Sequence, residues 1–169
     1  MRTNFAIRTP RVSATEAFRF YLPKVAGSTP APATQISMET TNVLKLQIPK
    51  SSFEAILKGE QKVVRRYVYP YNAMKYVFFK DENGTEYMNE NEAPKEASLE
   101  PTPVQYDALC LINGRRKDAP RITAEVESSE FVIFTDDDGN DLTFEENGVE
   151  YIVCQVWYHL GNIIKTENV

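Results

Sequence analysis

The chain has 169 residues and a net charge of −5, with 19 Lys and Arg against 24 Asp and Glu. This length is enough for one domain with a hydrophobic core. Hydrophobic residues make up 42% and charged residues 25%, which excludes a collagen, a wholly disordered chain and a disulfide scaffold. One His and two Cys leave little room for a zinc site or a His-based catalytic triad, so we expect no metal and no cofactor.

The two cysteines, Cys110 and Cys154, both lie in apolar runs, which predicts buried free thiols rather than a disulfide or a nucleophile. Free thiols fit a reducing compartment, and we expect a cytoplasmic protein. No apolar run approaches the roughly 20 residues that a membrane span requires. We therefore expect no membrane association.

The charge is unevenly distributed along the chain. Residues 1–38 carry five basic residues and one acid (5 − 1 = +4), whereas residues 39–169 carry 14 basic and 23 acidic residues (14 − 23 = −9). An acidic total disfavours broad nucleic-acid binding, but the split indicates a basic arm on an acidic body. We interpret residues 1–42 as an N-terminal extension with a linker-like stretch at 27–34 and a short helix over 13–22. This extension is predicted to dock on the body or on a protein partner.

The second predicted unit, residues 43–169, opens with a half-buried strand in which apolar and polar residues alternate. A short helix follows, with Ser51 and Glu54 as a capping box and Gly59 as its left-handed stop. Further strands are predicted at 61–69, 76–79, 106–112, 121–134, 149–160 and 162–164. The connections predicted between them are turns at 81–84 and 136–140, a long acidic surface loop at 88–103 and a bend near Ser128.

Many strands, one early helix and no βαβ repeat predict a mostly β (α+β) fold. We expect a small, mostly antiparallel β-barrel with the helix at its edge. The turn at 136–140 carries acids and a Gly like a fragment of a calcium loop, but it lacks the full ligand spacing and reads as a solvated turn. His159 has no partner of metal-ligating type nearby in the sequence.

Basic and aromatic residues are interleaved after Gly59. Strand alternation places Lys62, Val64 and Arg66 on one face, and Arg65, Tyr67 and Tyr69 on the other. Such a pattern can hold phosphate and stack bases. The alternative is a solvated strand whose arginines pair with the abundant carboxylates. A second basic segment, Arg115-Arg116-Lys117, follows Asn113-Gly114 on a predicted loop, where binding residues often lie.

Three segments resemble the ASCH family. The run from Phe53 to Arg66 is similar to the family's opening signature, a helix ending in Gly and then a strand with Arg seven residues later, matched here by Gly59 and Arg66. The segments 106–120 and 158–164 resemble a second block and the closing strand, in order over roughly residues 43–165. The chain looks like a small bacterial or phage-type member.

This resemblance implies a β-barrel similar to the PUA fold and a role in RNA binding. Some small family members are amidohydrolases on acetylated cytidine, but this chain has Gln61 where the family has Lys, and Val64 where it has Thr or an acid. Gln cannot act as a cationic nucleophile or base, and Val cannot transfer a proton. We therefore expect a non-catalytic module that binds RNA or a modified nucleotide.

The predicted binding site is centred on Arg66 as the anion contact. One rim comprises Lys50, Gln61 and Lys62, and the other comprises Asn113, Arg115, Arg116 and Lys117. The candidate stacking groups are Tyr67, Tyr69 and Tyr106. Two alternatives remain: a protein-interaction scaffold that docks through residues 1–38, and an amidohydrolase on a modified nucleoside whose base is supplied by Glu125, Glu127 or Lys62.

Overall fold

A computed structural model describes residues 42–169 of the chain. The predicted basic arm over 1–38, with its helix over 13–22, lies outside the described residues. The described part is mostly β, as expected, with two short helices where one was predicted. Neither helix between residues 42 and 169 has the length and apolar content that crossing a membrane requires.

The elements follow one another with short connections in most places. In chain order they are β1 Val43–Gln47, α1 Lys50–Leu57, β2 Val63–Tyr67, α2 Ala73–Tyr76, β3 Val77–Lys80, β4 Glu86–Tyr87, β5 Glu100–Pro103, β6 Ala108–Ile112, β7 Arg121–Ile133, β8 Thr143–Glu146, β9 Val149–Ile152 and β10 Cys154–Glu167. A single 3-10 turn, Glu90–Glu92, lies between β4 and β5.

The main sheet has five strands in the order β1-β6-β7-β10-β2. β1 pairs with β6 in parallel, and the remaining three pairs are antiparallel. Two smaller antiparallel sheets, β4-β3-β5 and β8-β9, complete the described part. No strand ladder between the described residues joins the edge strands β1 and β2, so backbone pairing leaves the main sheet open.

The open sheet is nevertheless strongly rolled. Strand register puts Gln47 of β1 level with Arg121 of β7, and Arg66 of β2 level with Phe131 of β7. Ten residues separate the two β7 positions, about 33 Å along an extended strand. Yet Arg66 Nη2 donates a hydrogen bond to the Gln47 carbonyl oxygen at 2.7 Å. The two edges of the sheet are therefore brought together, and a side chain joins them.

The long strands β7 and β10 carry the irregularities that accompany this curvature. Their register shifts three times, the first between His159 and Leu160. Glu127 lies opposite no residue of β10 at that shift, close to the bend expected near Ser128. The predicted strand 149–160 is wrong as a unit, because Val153 separates β9 from β10. β10 instead continues through the segment predicted as a separate strand at 162–164.

The end of helix α1 at Gly59 is as predicted, but the capping of its first turn is not. The helix begins at Lys50 after Pro49, and no side chain caps its N-terminus, so Ser51 lies inside the first turn and the capping-box prediction is wrong. At the other end Gly59 has φ +75°. Its N–H donates to the Ile56 carbonyl at 3.0 Å, and the next N–H donates to the Ala55 carbonyl at 2.8 Å. These two bonds form a Schellman motif.

The core lies between the inner face of the rolled sheet, α1 and the β3 strand. Cys110 and Cys154 are free and buried, as predicted. Burial raises the pKa of the Cys154 thiol to about 12, which keeps it protonated and unreactive. The prediction of a structureless loop over 88–103 is wrong at its end, where β5 pairs with β3.

Candidate functional site

Arg66 lies on the inner face of β2, in line with the buried Val64 and Val68. Besides its bond to Gln47, its Nε is buried without a hydrogen-bond partner among residues 42–169. No carboxylate of the described part lies within 4.0 Å of its guanidinium; the ion pairs there involve Lys50, Lys80, His159 and Lys165. The alternative in which carboxylates neutralise Arg66 therefore does not describe this arrangement.

Three tyrosines, Tyr76, Tyr106 and Tyr158, interact with one another on the inner side, and Tyr76 also interacts with the charge of Arg66. Burial raises the pKa of Tyr76, and the charge of Arg66 partly offsets this effect. Burial, together with Tyr106 and Tyr76, raises the pKa of Tyr158 far above its usual range. The hydroxyl of Tyr158 is buried and has no partner in the described part of the chain. These phenols are therefore neutral, and Arg66 is the positive group beside them.

Tyr106 was expected to stack on a ligand, but its contacts place it in the packing of the domain. Its ring meets that of Tyr158 edge to face, with centroids 6.1 Å apart. Its hydroxyl donates to the Lys75 carbonyl oxygen at 2.7 Å. Both ends of the side chain are thus engaged by the protein.

The basic loop, residues 113–117, begins at the end of the sheet where Arg66 meets Gln47. Gln47 is the parallel neighbour of Ile112, and Asn113 follows directly. The loop is closed by a hydrogen bond from the Asn113 N–H to the Pro120 carbonyl at 3.0 Å. The side chains of Arg115, Arg116 and Lys117 are exposed, and none has an ion-pair partner within residues 42–169.

Arg121 is a cation at this end that sequence reasoning missed. Its Nη2 donates to the Lys117 carbonyl at 2.9 Å, and its Nε is buried without a partner among the described residues. The sequence places Arg121 at the start of a predicted strand. Its link to the basic loop is visible only in the structure, where its side chain bonds to the Lys117 carbonyl. Arg121 thus fixes the base of the basic loop.

The first predicted rim, formed by Lys50, Gln61 and Lys62, is less free to bind a ligand than the basic loop. Lys50 forms an exposed ion pair with Glu54 at 3.6 Å. The Gln61 side-chain amide donates to the Val63 carbonyl at 3.0 Å, and so it is held locally. Lys62 is exposed, and its carbonyl accepts a hydrogen bond from the Leu160 N–H at 2.8 Å.

The outer face of β2 carries the other predicted stacking groups. Arg65 lies over the ring of Trp157, with Cζ 4.5 Å from the ring centroid. Tyr67 and Tyr69 have centroids 6.0 Å apart, and Tyr69 stacks on Tyr71 at 5.5 Å. Arg65 and Tyr67 lie on the face of β2 opposite Arg66, as strand alternation requires, and Tyr69 and Tyr71 extend the row of rings beyond the end of the strand. The structure therefore divides the predicted site into an inner basic part and an outer aromatic part.

The candidate bases of the hydrolase alternative are Glu125 and Glu127 on β7 and the exposed Lys62. Val64 is buried in the core. The side chains of Glu125 and Glu127 lie against Gly161, so closely that a Cβ there would meet atoms of both at 3.0 Å. The nearby His159 Nε2 is 2.6 Å from a carboxylate oxygen of Glu130. Within the described residues no group of three His, Cys, Asp or Glu side chains is placed to hold a metal ion.

Comparison of the chain with protein-family models, with curated proteins and with solved structures found no match. What the chain does must therefore be argued from its own residues. The arrangement offers a positive inner part at one end of the rolled sheet and an aromatic outer part on β2. These two parts differ in charge and in chemistry.

Proposed function

We propose that this protein is a non-catalytic module that binds RNA or a nucleotide at the end of the rolled sheet where Arg66 meets Gln47. The architecture we propose is a small PUA-like barrel. Its seam between β1 and β2 is closed by an arginine side chain in place of a strand ladder. The resemblance of the opening segment to the ASCH signature supports both parts of this proposal, because Arg66 is the residue that matches the family's arginine.

One observation carries the proposal: cations without carboxylate partners are grouped at one end of an acidic domain. Residues 42–169 contain 14 basic and 22 acidic residues, so carboxylates are plentiful. The ion pairs of residues 42–169 engage only three of these basic residues, and Arg66 and the basic loop are among those left unpaired. Unpaired guanidinium and ammonium groups at the same end of a sheet can bind a phosphate-bearing ligand.

The hydrogen bond to Gln47 also orients Arg66 for binding. A guanidinium is planar and presents several N–H groups in fixed directions. With Nη2 held on the Gln47 carbonyl at 2.7 Å, the direction of the remaining donors is set before a ligand arrives. Such preorganisation lowers the entropic cost of binding an oxyanion.

The test is a fluorescence-anisotropy titration of the full chain with a short end-labelled single-stranded RNA at several salt concentrations. In the variant Arg115→Ala/Arg116→Ala/Lys117→Ala we expect affinity at low salt to fall by more than tenfold. We also expect the slope of log K against log salt to shrink by about 2, close to 0.7 for each lost phosphate contact. Lys80→Ala removes a cation already paired with Glu86 and serves as the control.

Arg66→Lys separates charge from geometry at the centre of the site. Lysine keeps the positive charge, but a single ammonium cannot hold Gln47 and an oxyanion in the forked geometry of arginine. We expect roughly tenfold weaker RNA binding, with a near-ultraviolet circular dichroism spectrum like that of the unchanged chain. RNA binding that is absent, or unaltered in both the loop variant and Arg66→Lys, would refute the proposal. A mononucleotide used as competitor distinguishes RNA from nucleotide recognition.

A further inference from the structure

The outer part of the site has exposed aromatic rings that the proposed RNA site does not use. We define the tyrosine surface as Tyr67, Tyr69 and Tyr71 of the β2 segment together with Phe144 of β8. Tyr67 is 47% exposed and Tyr71 is 76% exposed. Tyr69 stacks on Tyr71 with ring planes 9° apart, and Phe144 meets Tyr69 edge to face at 5.8 Å. Large exposed apolar groups that form one contiguous row mark an interaction surface.

The acidic segment that carries Phe144 disfavours a nucleic acid as the partner of the tyrosine surface. Residues 134–151, which include Phe144, contain seven acids and no Lys or Arg. In β8, strand alternation puts Glu146 on the same face as Phe144, whereas Glu145 and Glu150 lie on the other face of the hairpin. A phosphate backbone placed on the rings would lie beside this acidic segment and be repelled by it. The partner that fits is a positively charged segment.

The chemistry of the rings agrees with the charges. Arginine and lysine bind over aromatic faces by cation–π attraction, and arginine also forms forked bonds with carboxylates. The same strand shows this contact internally, because Arg65 lies 4.5 Å over the ring of Trp157. A segment with several arginines and some apolar residues would satisfy both the rings and the carboxylates.

We propose that residues 1–38 of this chain dock on the tyrosine surface. This segment carries Arg2, Arg8, Arg11, Arg19 and Lys24 against Glu16 alone, a charge of +4. The proposal is independent of RNA binding at Arg66, which lies on the other face of β2. Complementary charge between the basic arm and residues 134–151 is the first argument for this occupant.

The second argument is the point from which the arm departs. The Asn42 side chain donates to the Gln105 carbonyl at 3.1 Å, and the Gln105 side chain accepts from the Ser129 hydroxyl at 3.0 Å. From Ser129 to Phe134 is five residues of β7 and its continuation, about 17 Å. Tyr67 packs on Phe134 at 6.3 Å. Residues 25–41, when extended, span roughly 55 Å, so the arginines of the arm can reach the surface with length to spare.

The test is zero-length carbodiimide cross-linking of the full chain at low salt, with linked peptides identified by mass spectrometry. Within residues 1–38 the amines are the N-terminus and Lys24. We expect them to link to carboxylates within 134–151, and we expect these links to disappear at high salt. In Tyr67→Ser/Tyr71→Ser the yield should fall by about tenfold, since two cation–π contacts are lost. Met88→Ala, which also removes an exposed apolar group, is the control.

Because both tyrosines are exposed, their replacement should leave the fold intact, and circular dichroism checks this. Asp137→Asn/Glu146→Gln tests the same contact through charge alone and should also lower the yield. A mixture of ¹⁵N-labelled and unlabelled chains identifies the source of the arm. Links between peptides of different isotopic mass would contradict docking within one chain. Links mainly to acids outside 134–151, or yields unchanged in both variants, would also overturn the proposal.

Discussion

At the scale of the residue, two tyrosines on the inner face show that a phenol hydroxyl can stabilise the fold at one position and destabilise it at another. The hydroxyl of Tyr106 donates to the Lys75 carbonyl, whereas that of Tyr158 is buried with no partner among residues 42–169. A buried polar atom without a partner loses its hydration and gains no compensating bond. The side chain of Tyr158 is retained for its ring, which fills the space beside Tyr106.

The same chemical change should therefore have different consequences at these two positions. We expect Tyr106→Phe to lower the free energy of unfolding by about 1 kcal/mol, because it removes a bonded hydroxyl and leaves a carbonyl without its donor. Tyr158→Phe should leave the free energy of unfolding unchanged or raise it by up to about 1 kcal/mol. Urea denaturation of both variants measures the difference. Equal losses in the two would contradict the assignment of the unpaired hydroxyl.

At the scale of the element, α1 shows which end of a helix its sequence controls. Gly59 allows the left-handed turn at φ +75°, and the two hydrogen bonds of the Schellman motif depend on that turn. A Cβ at Gly59 would have no atom within 4 Å, so only backbone strain opposes a side chain there. We expect Gly59→Ala to cost about 1 kcal/mol of stability, and Gly59→Asn less, because Asn tolerates the left-handed region. Thermal denaturation of the two variants checks the order; an Ala variant as stable as Gly59 would refute it.

The strands also show which elements a sequence pattern can predict and which it cannot. Alternation and apolar runs located β1, β6 and β7 because those strands bury a regular set of side chains. β8 escaped prediction because Thr143-Phe144-Glu145-Glu146 is mostly polar, and β5 because it contains Pro101 and Pro103. Proline is tolerated there because β5 is the edge of its sheet.

For the site, the sequence predicts which residues lie on each face of β2, but it does not predict the contacts that those residues make with other strands. Alternation correctly separates Arg66 from Tyr67 and Tyr69. The bond from Arg66 to Gln47, and the position of Arg65 over Trp157, join residues distant in the sequence. The first contact depends on how the sheet rolls and the second on the register of β2 against β10, and no local pattern encodes either. The sequence therefore grouped Arg66, Tyr67, Tyr69 and Tyr106 as one ligand site. Only the structure shows that they belong to separate parts.

At the scale of the whole molecule, the side chain of Arg66 bridges the two edges of the rolled sheet. Removing the guanidinium by Arg66→Ala should cost about 1.5–3 kcal/mol, the usual value of a hydrogen bond to a charged group. We expect amide exchange to accelerate in β1 and β2, at residues 43–47 and 63–67, and to change least in the central strand β7. Hydrogen–deuterium exchange with mass spectrometry reads this pattern. Acceleration spread evenly over the sheet would indicate general destabilisation and would contradict the role of the seam.

The strand order also has a consequence for synthesis on the ribosome. β10 is the last of these elements to be made, yet it lies between β7 and β2. β2 has its ladder partner in β10, and 87 residues of chain separate Tyr67 from Cys154. At 5–20 residues per second the nascent β2 waits on the order of 4–17 s for that partner. Charged residues deter an unpaired strand from joining another chain, and β2 carries Arg65 and Arg66 through this interval.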